Sequence, residues 1–271
     1  RPNDYNLRYE AANIDSFLGS LMLEQGRLKE AEAYFSVQED AMRRNRKEDP
    51  GNIKWKEVHA DAKRFLTEVQ AMLGKRDQAR ASALESMQIS TELTVLDPNN
   101  ITWSYTYGLS HWWLARLADA HDADAQTHAE KALSILAKAH AQDSSNEPIA
   151  LRLAKSRNLL AEIALMHGNA VAVPEHTHAA LDALAPFWRL EQKEGTRIVL
   201  ADAYWLMGQA AYVEGDSARA NGHWQQALAL LSEGGLKNPP FGRLEILVRT
   251  LNSLGRKAEA EVYISRLEQS G

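Results

Sequence analysis

Cysteine is missing from all 271 residues. Its absence excludes disulfides, thiolate metal sites and cysteine nucleophiles. It leaves the compartment open, because a thiol-free chain suits reducing and oxidising surroundings alike. Glycine and proline are few, 15 and 8, which argues against a loop-rich or low-complexity chain. No run of 18 apolar residues occurs, so no segment is expected to insert in a membrane. Basic residues are not in excess: a formal charge of −5 and a pI near 6.0 give no reason to expect nucleic acid or anionic lipid as a main partner. The opening residues, RPNDYNLRYE, lack an initiator Met and an apolar signal core. They suggest a piece of a longer protein with its effector domain elsewhere.

Signatures of catalysis are equally scarce. There is no phosphate loop, no dinucleotide glycine fingerprint and no Gly-x-Ser-x-Gly elbow. Acidic residues are scattered rather than gathered around a histidine. His176 and His178 stand two apart, which on a helix sends them to different faces, so they read as a solvated helix start rather than a metal pair. His111 precedes Trp112 and Trp113, and packing accounts for that trio. The expectation is a protein that is not an enzyme, with no cofactor and no metal.

What the chain does have is a repeat. DPGNIKW (Asp49 to Trp55) and DPNNITW (Asp97 to Trp103) stand 48 residues apart. The same shift places Phe17 and Leu18 on Phe65 and Leu66, Gly26 on Gly74, and Pro50 on Pro98; one period earlier stands Pro2, with Leu7 in place of the tryptophan. Asp143 and Asn146 follow Asp97 and Asn100 by 46. Within each period the apolar spacing is helical and leads to a glycine suited to end a helix in the left-handed conformation. A second helical stretch follows, with small residues at turn spacing: Ala79, Ala83 and Ser86, or Ala125, Ala129 and Ala132. The Asp-Pro phrase then stops the helix. Asn52 or Asn100 caps the next one, and Trp55 and Trp103 are expected to be equivalent, mostly buried packing residues. No stretch alternates long enough to make a strand. The unit is a helical hairpin.

The stretch WLMGQAAYVEGDSARANGHWQQAL (Trp205 to Leu228) resembles the tetratricopeptide repeat. It has a small residue at Gly208, a turn at Gly215 and Asp216, and the small-aromatic-small series Ala220, Trp224, Ala227. GRLKEAEAYF (Gly26 to Phe35) and LNSLGRKAEAEVYISRL (Leu251 to Leu267) are similar to parts of the same unit. The resemblance covers nearly the whole chain, and it implies an all-α, right-handed superhelical stack of about 12 antiparallel helices. Units are expected at roughly 2–49, 50–97, 98–143, 144–194, 195–238 and 239–271, forming one array over 1–271. The period departs from the usual ~34 residues: 24 residues separate Gly26 from Pro50 and Gly74 from Pro98, so the early helices are long. In the fourth unit Pro174 belongs in the first turn of a helix, and EQKEG (Glu191 to Gly195) marks a break.

The resemblance further implies a concave groove lined by the first helix of each hairpin, holding a peptide or partner protein. Taking Leu18, Leu66, Leu114, Leu160, Met207 and Leu247 as equivalent buried positions, the residues two before and two after project toward it. These are Ser16 and Ser20; Arg64 and Glu68; Trp112 and Arg116; Asn158 and Glu162; Trp205 and Gln209, with Tyr212 a turn further; and Glu245 and Arg249. Family members that clamp a C-terminal carboxylate have lysine and asparagine where Ser16 and Ser20 stand, so that clamp is absent. Arginines and aromatics remain, the residue types that dominate interfaces energetically. A non-catalytic interaction scaffold is the leading expectation. The others are the sensory or regulatory arm of a bacterial kinase, cyclase or transcription regulator, and a self-association module in which the chain forms homo-oligomers.

Overall fold

A computed structural model describes residues 4–118 and 123–270, so the earliest copy of the turn phrase, at Pro2, lies outside it. Among the described residues there are twelve α-helices and no strand. Contacts divide the chain into two compact units, one ending at Ala118 and the other at Gln269. The first holds α1 (Tyr5–Glu24), α2 (Leu28–Glu48), α3 (Ile53–Met72), α4 (Arg76–Leu96) and α5 (Ile101–Leu117). The second holds α6 (Ala123–Gln142), α7 (Glu147–Met166), α8 (Val173–Leu190), α9 (Glu194–Val213), α10 (Ser217–Ser232), α11 (Leu244–Ser253) and α12 (Lys257–Ser270). Two short 3-10 turns, Ala170–Ala172 and Phe241–Arg243, precede α8 and α11.

The turn inside each hairpin follows from its glycine. Gly26 and Gly74 have φ of 75° and 71°, open to glycine at no steric cost. The next amide, of Arg27 or Lys75, then reaches back to the carbonyl of Met22 or Gln70 at 2.9 Å. This is the Schellman closure that satisfies the last helical carbonyls. The turn between hairpins is the Asp-Pro phrase: α2 ends at Glu48 and α4 at Leu96. Asn52 accepts from the Lys54 amide and Asn100 from the Trp103 amide, both at 3.1 Å, and Asn146 caps α7 in the same way. Pro174 stands in the first turn of α8, and the EQKEG break separates α8 from α9.

Packing within a hairpin is a small residue against a ring. A Cβ on Gly19 would stand 2.6 Å from the Phe35 ring, so α1 and α2 approach only because residue 19 has none. Small side chains of the second helices are buried throughout: Ala31, Ala79, Ala83 and Ser86 in the first unit, Ala125, Ala129, Ala132, Ala220 and Ala227 in the second. Packing between hairpins is aromatic and apolar. Trp55 lies buried against Tyr5 and Tyr9 of the preceding hairpin, with ring centroids 6.3 and 5.8 Å away. Trp103 packs on Ala60, Ile89 and Leu93, but remains half-exposed. The two tryptophans thus share a role and differ in depth. Of the six expected equivalent positions Leu66, Leu114, Leu160, Met207 and Leu247 are buried, and Leu18, on the outermost helix, is partly open.

Candidate functional site

In the second unit, α7, α9 and α11 are the first helices of three hairpins, and side chains from all three meet on one face. The Arg249 guanidinium of α11 lies 3.3 Å from Glu162 of α7 and 5.2 Å from the Trp205 ring of α9. It also lies 2.8 Å from Glu245 one turn back. Burial pulls the Arg249 pKa down, but the charges of Glu245, Glu162 and Asp202 outweigh it and raise the net value. The Ser253 hydroxyl accepts from Trp205 Nε1 at 3.0 Å and from Gln209 Nε2 at 2.9 Å. Five expected groove residues, Glu162, Trp205, Gln209, Glu245 and Arg249, therefore form one connected network. Asp202 and Ser253 complete it. Sequence reading missed both, although Asp202 lies three residues before Trp205 and Ser253 four after Arg249, on turns that helical spacing brings to the same face.

Two further expected groove residues differ in setting. Asn158 is 97% buried (relative exposure 3%), and its amide donates to the Val199 carbonyl at 3.0 Å and to Asp202 at 2.9 Å. It cross-links α7 and α9 from the inside rather than presenting an amide to a ligand, because its Cβ points into the helix contact. Tyr212 is exposed and tilts over Trp224 of α10 at 5.9 Å.

In the first unit the corresponding helices are α3 and α5. Arg64 bonds Asp61 at 3.1 Å and lies 4.0 Å over the Phe65 ring, which itself stacks on Phe35 at 5.0 Å. Burial lowers the Arg64 pKa while Asp61 and Glu68 raise it, with a net rise. Asp61 also accepts from Thr106 of α5 at 3.4 Å. Further along α5, Trp112 meets Trp113 edge-on at 4.8 Å and Arg116 lies 5.9 Å over the Trp112 ring. Ser20 donates to the Ser16 carbonyl, one turn earlier in its own helix.

Of the two histidines read as a solvated helix start, one is placed differently. His178 is exposed, but His176 is half-buried and its Nδ1 is enclosed. It lines a recess of about 430 Å³ with Arg157 and His167 of the α7 hairpin and Glu130 of α6. Burial, and then Arg157, lower the His176 pKa. A second recess of about 400 Å³, largely apolar, lies among Leu181, Trp188, Leu200, Tyr204 and Leu230.

One polar cluster had no sequence signal. Glu39 of α2, His59 of α3 and Glu85 of α4 bring three metal-capable side chains within 4.8 Å of one another. The Lys63 ammonium lies 3.1 Å from Glu39 and 2.8 Å from Glu85, so a lysine already holds the place a cation would take. Arg46 faces His59 Nδ1 at 3.5 Å. Since arginine only donates, Nδ1 accepts and the Nε2 proton points to Glu39, 3.1 Å away. Burial pushes the Glu39 carboxyl up, yet hydrogen bonds from His59 and Lys63 and the charge of Lys63 prevail and hold it at about 2.

The deciding contact for the fold is in the α9–α10 hairpin. A Cβ on Gly208 would overlap the Trp224 indole, and Ala220 and Ala227 flank that indole fully buried. The fold is a stack of tetratricopeptide-like helical hairpins. No protein-family model and no curated protein matches the sequence. Among solved structures, BtubC (BKLC) from P. vanneervenii is similar at a TM-score of 0.50 and 19% identity, over 90% of each chain. A thermophilic TPR protein of Thermus thermophilus matches at 0.48 and 17%, over 90% of this chain and 99% of that one. A tetratricopeptide repeat protein from Parabacteroides merdae matches at 0.40 and 11%, over 97% and 94%. At these identities the likeness concerns the fold.

Proposed function

We propose that this repeat protein is a non-catalytic scaffold that binds a peptide or partner protein along the first helices of its hairpins. The observation that supports it is the α7–α9–α11 face, where a tryptophan, an arginine and hydrogen-bonding side chains from three successive hairpins converge. A packing face has no need of three carboxylates and a guanidinium. A recognition face does, because polar groups fix the register of a bound segment while aromatics supply the apolar contact. Arg64, Glu68, Trp112 and Arg116 form the counterpart on the first unit.

A peptide array probed with the whole chain, followed by anisotropy titrations of captured peptides, tests the proposal. Trp205→Ala and Glu162→Lys should each weaken binding of captured peptides at least tenfold, while Arg64→Ala, Trp112→Ala and Arg116→Ala report on the first unit. Captured peptides that bind all five variants as tightly as the parent would show that these faces do not recognise them.

A further inference from the structure

A shift of 94 residues, one 48-residue step and one of 46, carries Asp49 onto Asp143, Asn52 onto Asn146, Leu66 onto Leu160 and Gly74 onto Gly168. It therefore aligns α2, α3 and α4 with α6, α7 and α8. In the first unit one group of these positions closes on itself. Lys63 of α3 is held by Glu39 of α2 at 3.1 Å and by Glu85 of α4 at 2.8 Å. Beside it Ser82 donates to the Gln70 side chain at 2.9 Å. In the second unit Lys63 becomes Arg157, while Glu39 and Glu85 become Leu133 and Ala179. Ser82 and Gln70 become His176 and Ala164. The cation is kept, and both carboxylates that neutralised it are gone. So is the acceptor that met residue 82.

What stands there instead is the recess of about 430 Å³, lined by Leu133, Arg157, Ala164 and His176. Arg157 is half-buried, and among the described residues it has no hydrogen bond and no ion pair. Glu130 and Glu175 line the same recess but are exposed, and Glu130 takes a hydrogen bond from Gln126 at 2.8 Å. His176 Nδ1 is enclosed and meets no partner among the described residues. Enclosed polar atoms are normally satisfied, and a carboxylate oxygen accepts from a guanidinium and from an imidazole N–H alike. We propose that this recess binds a small organic acid, a single carboxylate on an apolar body. The carboxylate takes the part that Glu39 and Glu85 play for Lys63, accepting from the planar fork of Arg157 and from the His176 ring. The apolar body lies on Leu133, Leu160 and Ile163. Glu130 and Glu175 repel a second negative charge, which favours a monocarboxylate over a dicarboxylate. The volume lies within the range of ~300–1,000 Å³ usual for small-molecule sites.

Calorimetric titration of the whole chain with 4-methylpentanoate should give a Kd on the order of 0.1–1 mM. The amide of the same acid, which lacks the charge, and succinate, which adds one, should each bind at least tenfold more weakly. The ring resonances of His176, assigned by their loss in His176→Gln, should shift as the acid is added. Arg157→Met should weaken binding at least tenfold and leave the thermal melt of the free chain unchanged, since Arg157 has no partner to lose. Arg157→Lys, which keeps the charge, should retain more affinity than Arg157→Met. Leu133→Glu returns to the second unit the carboxylate that Glu39 supplies in the first, and it should abolish binding of the acid. No binding of 4-methylpentanoate up to about 10 mM overturns the proposal. So does equal affinity for the amide, or an affinity unchanged in Arg157→Met or Leu133→Glu.

Discussion

The indole of Trp224 occupies the space that a side chain on residue 208 would need. Helices α9 and α10 are held at that distance by the absence of one methyl group. Gly208→Ala should therefore destabilise the protein by about 1–3 kcal/mol, the usual cost of overpacking, although alanine is the better helix former by ~1 kcal/mol. Urea unfolding measures it. Adding Trp224→Leu to Gly208→Ala should recover part of the loss, since the smaller side chain makes room.

Arg243 ties the GGLKNPP connection to the body of the second unit. It is 4% exposed and bonds Glu194 at 2.8 and 2.5 Å, the Leu231 carbonyl at 2.6 Å and the Glu233 carbonyl at 2.8 Å. Arg243→Ala leaves the Leu231 and Glu233 carbonyls without that donor, at a cost of about 1–3 kcal/mol, while Glu194 keeps Arg197 at 3.8 Å and access to solvent. Arg243→Lys should recover less than half, because an ammonium cannot reproduce the planar fork. Denaturant midpoints of the two variants check the order.

The Glu39 cluster makes stability depend on pH at the acid end. The folded carboxyl titrates near 2, below the ordinary 4.5. Its contribution is therefore present above pH 4.5 and is lost as pH falls toward 2. The gap corresponds to at most about 3 kcal/mol. Glu39 faces His59, Lys63 and Arg43, with Glu85 beyond them. Stability curves measured between pH 6 and pH 2 should flatten in Glu39→Gln. A variant as acid-sensitive as the parent would assign the dependence to other carboxylates.

Glu162 and Arg249, 87 positions apart, pair across the open face at 25% and 30% exposure. Partial solvation limits such a pair to about 1 kcal/mol or less. A double-mutant cycle with Glu162→Ala and Arg249→Ala should return a coupling of about 0.5–1 kcal/mol that falls in high salt. A coupling several times larger would mean that the face is closed to water.

The helices, their turns and the small-against-aromatic packing were legible in the residues alone, and for one reason: each depends on neighbours close in the chain. Gly26 and Gly74 end helices through carbonyls three residues back, and the amides of Arg27 and Lys75 through carbonyls five back. Asn52 and Asn100 cap through amides two and three ahead, and the 48-residue period reports the hairpin whole. The positions of Arg64, Glu162, Trp205 and Arg249 on first helices followed from that register. Their partners did not. Whether Asn158 faces a ligand or the Val199 carbonyl depends on the rotation of α9 against α7, and no local pattern records it. The Glu39–His59–Lys63–Glu85 network, the hold of Arg243 on a distant loop and the junction at Ser253 join residues from separate helices. Helix packing brought them together, and only the tertiary structure could show which polar groups found one another.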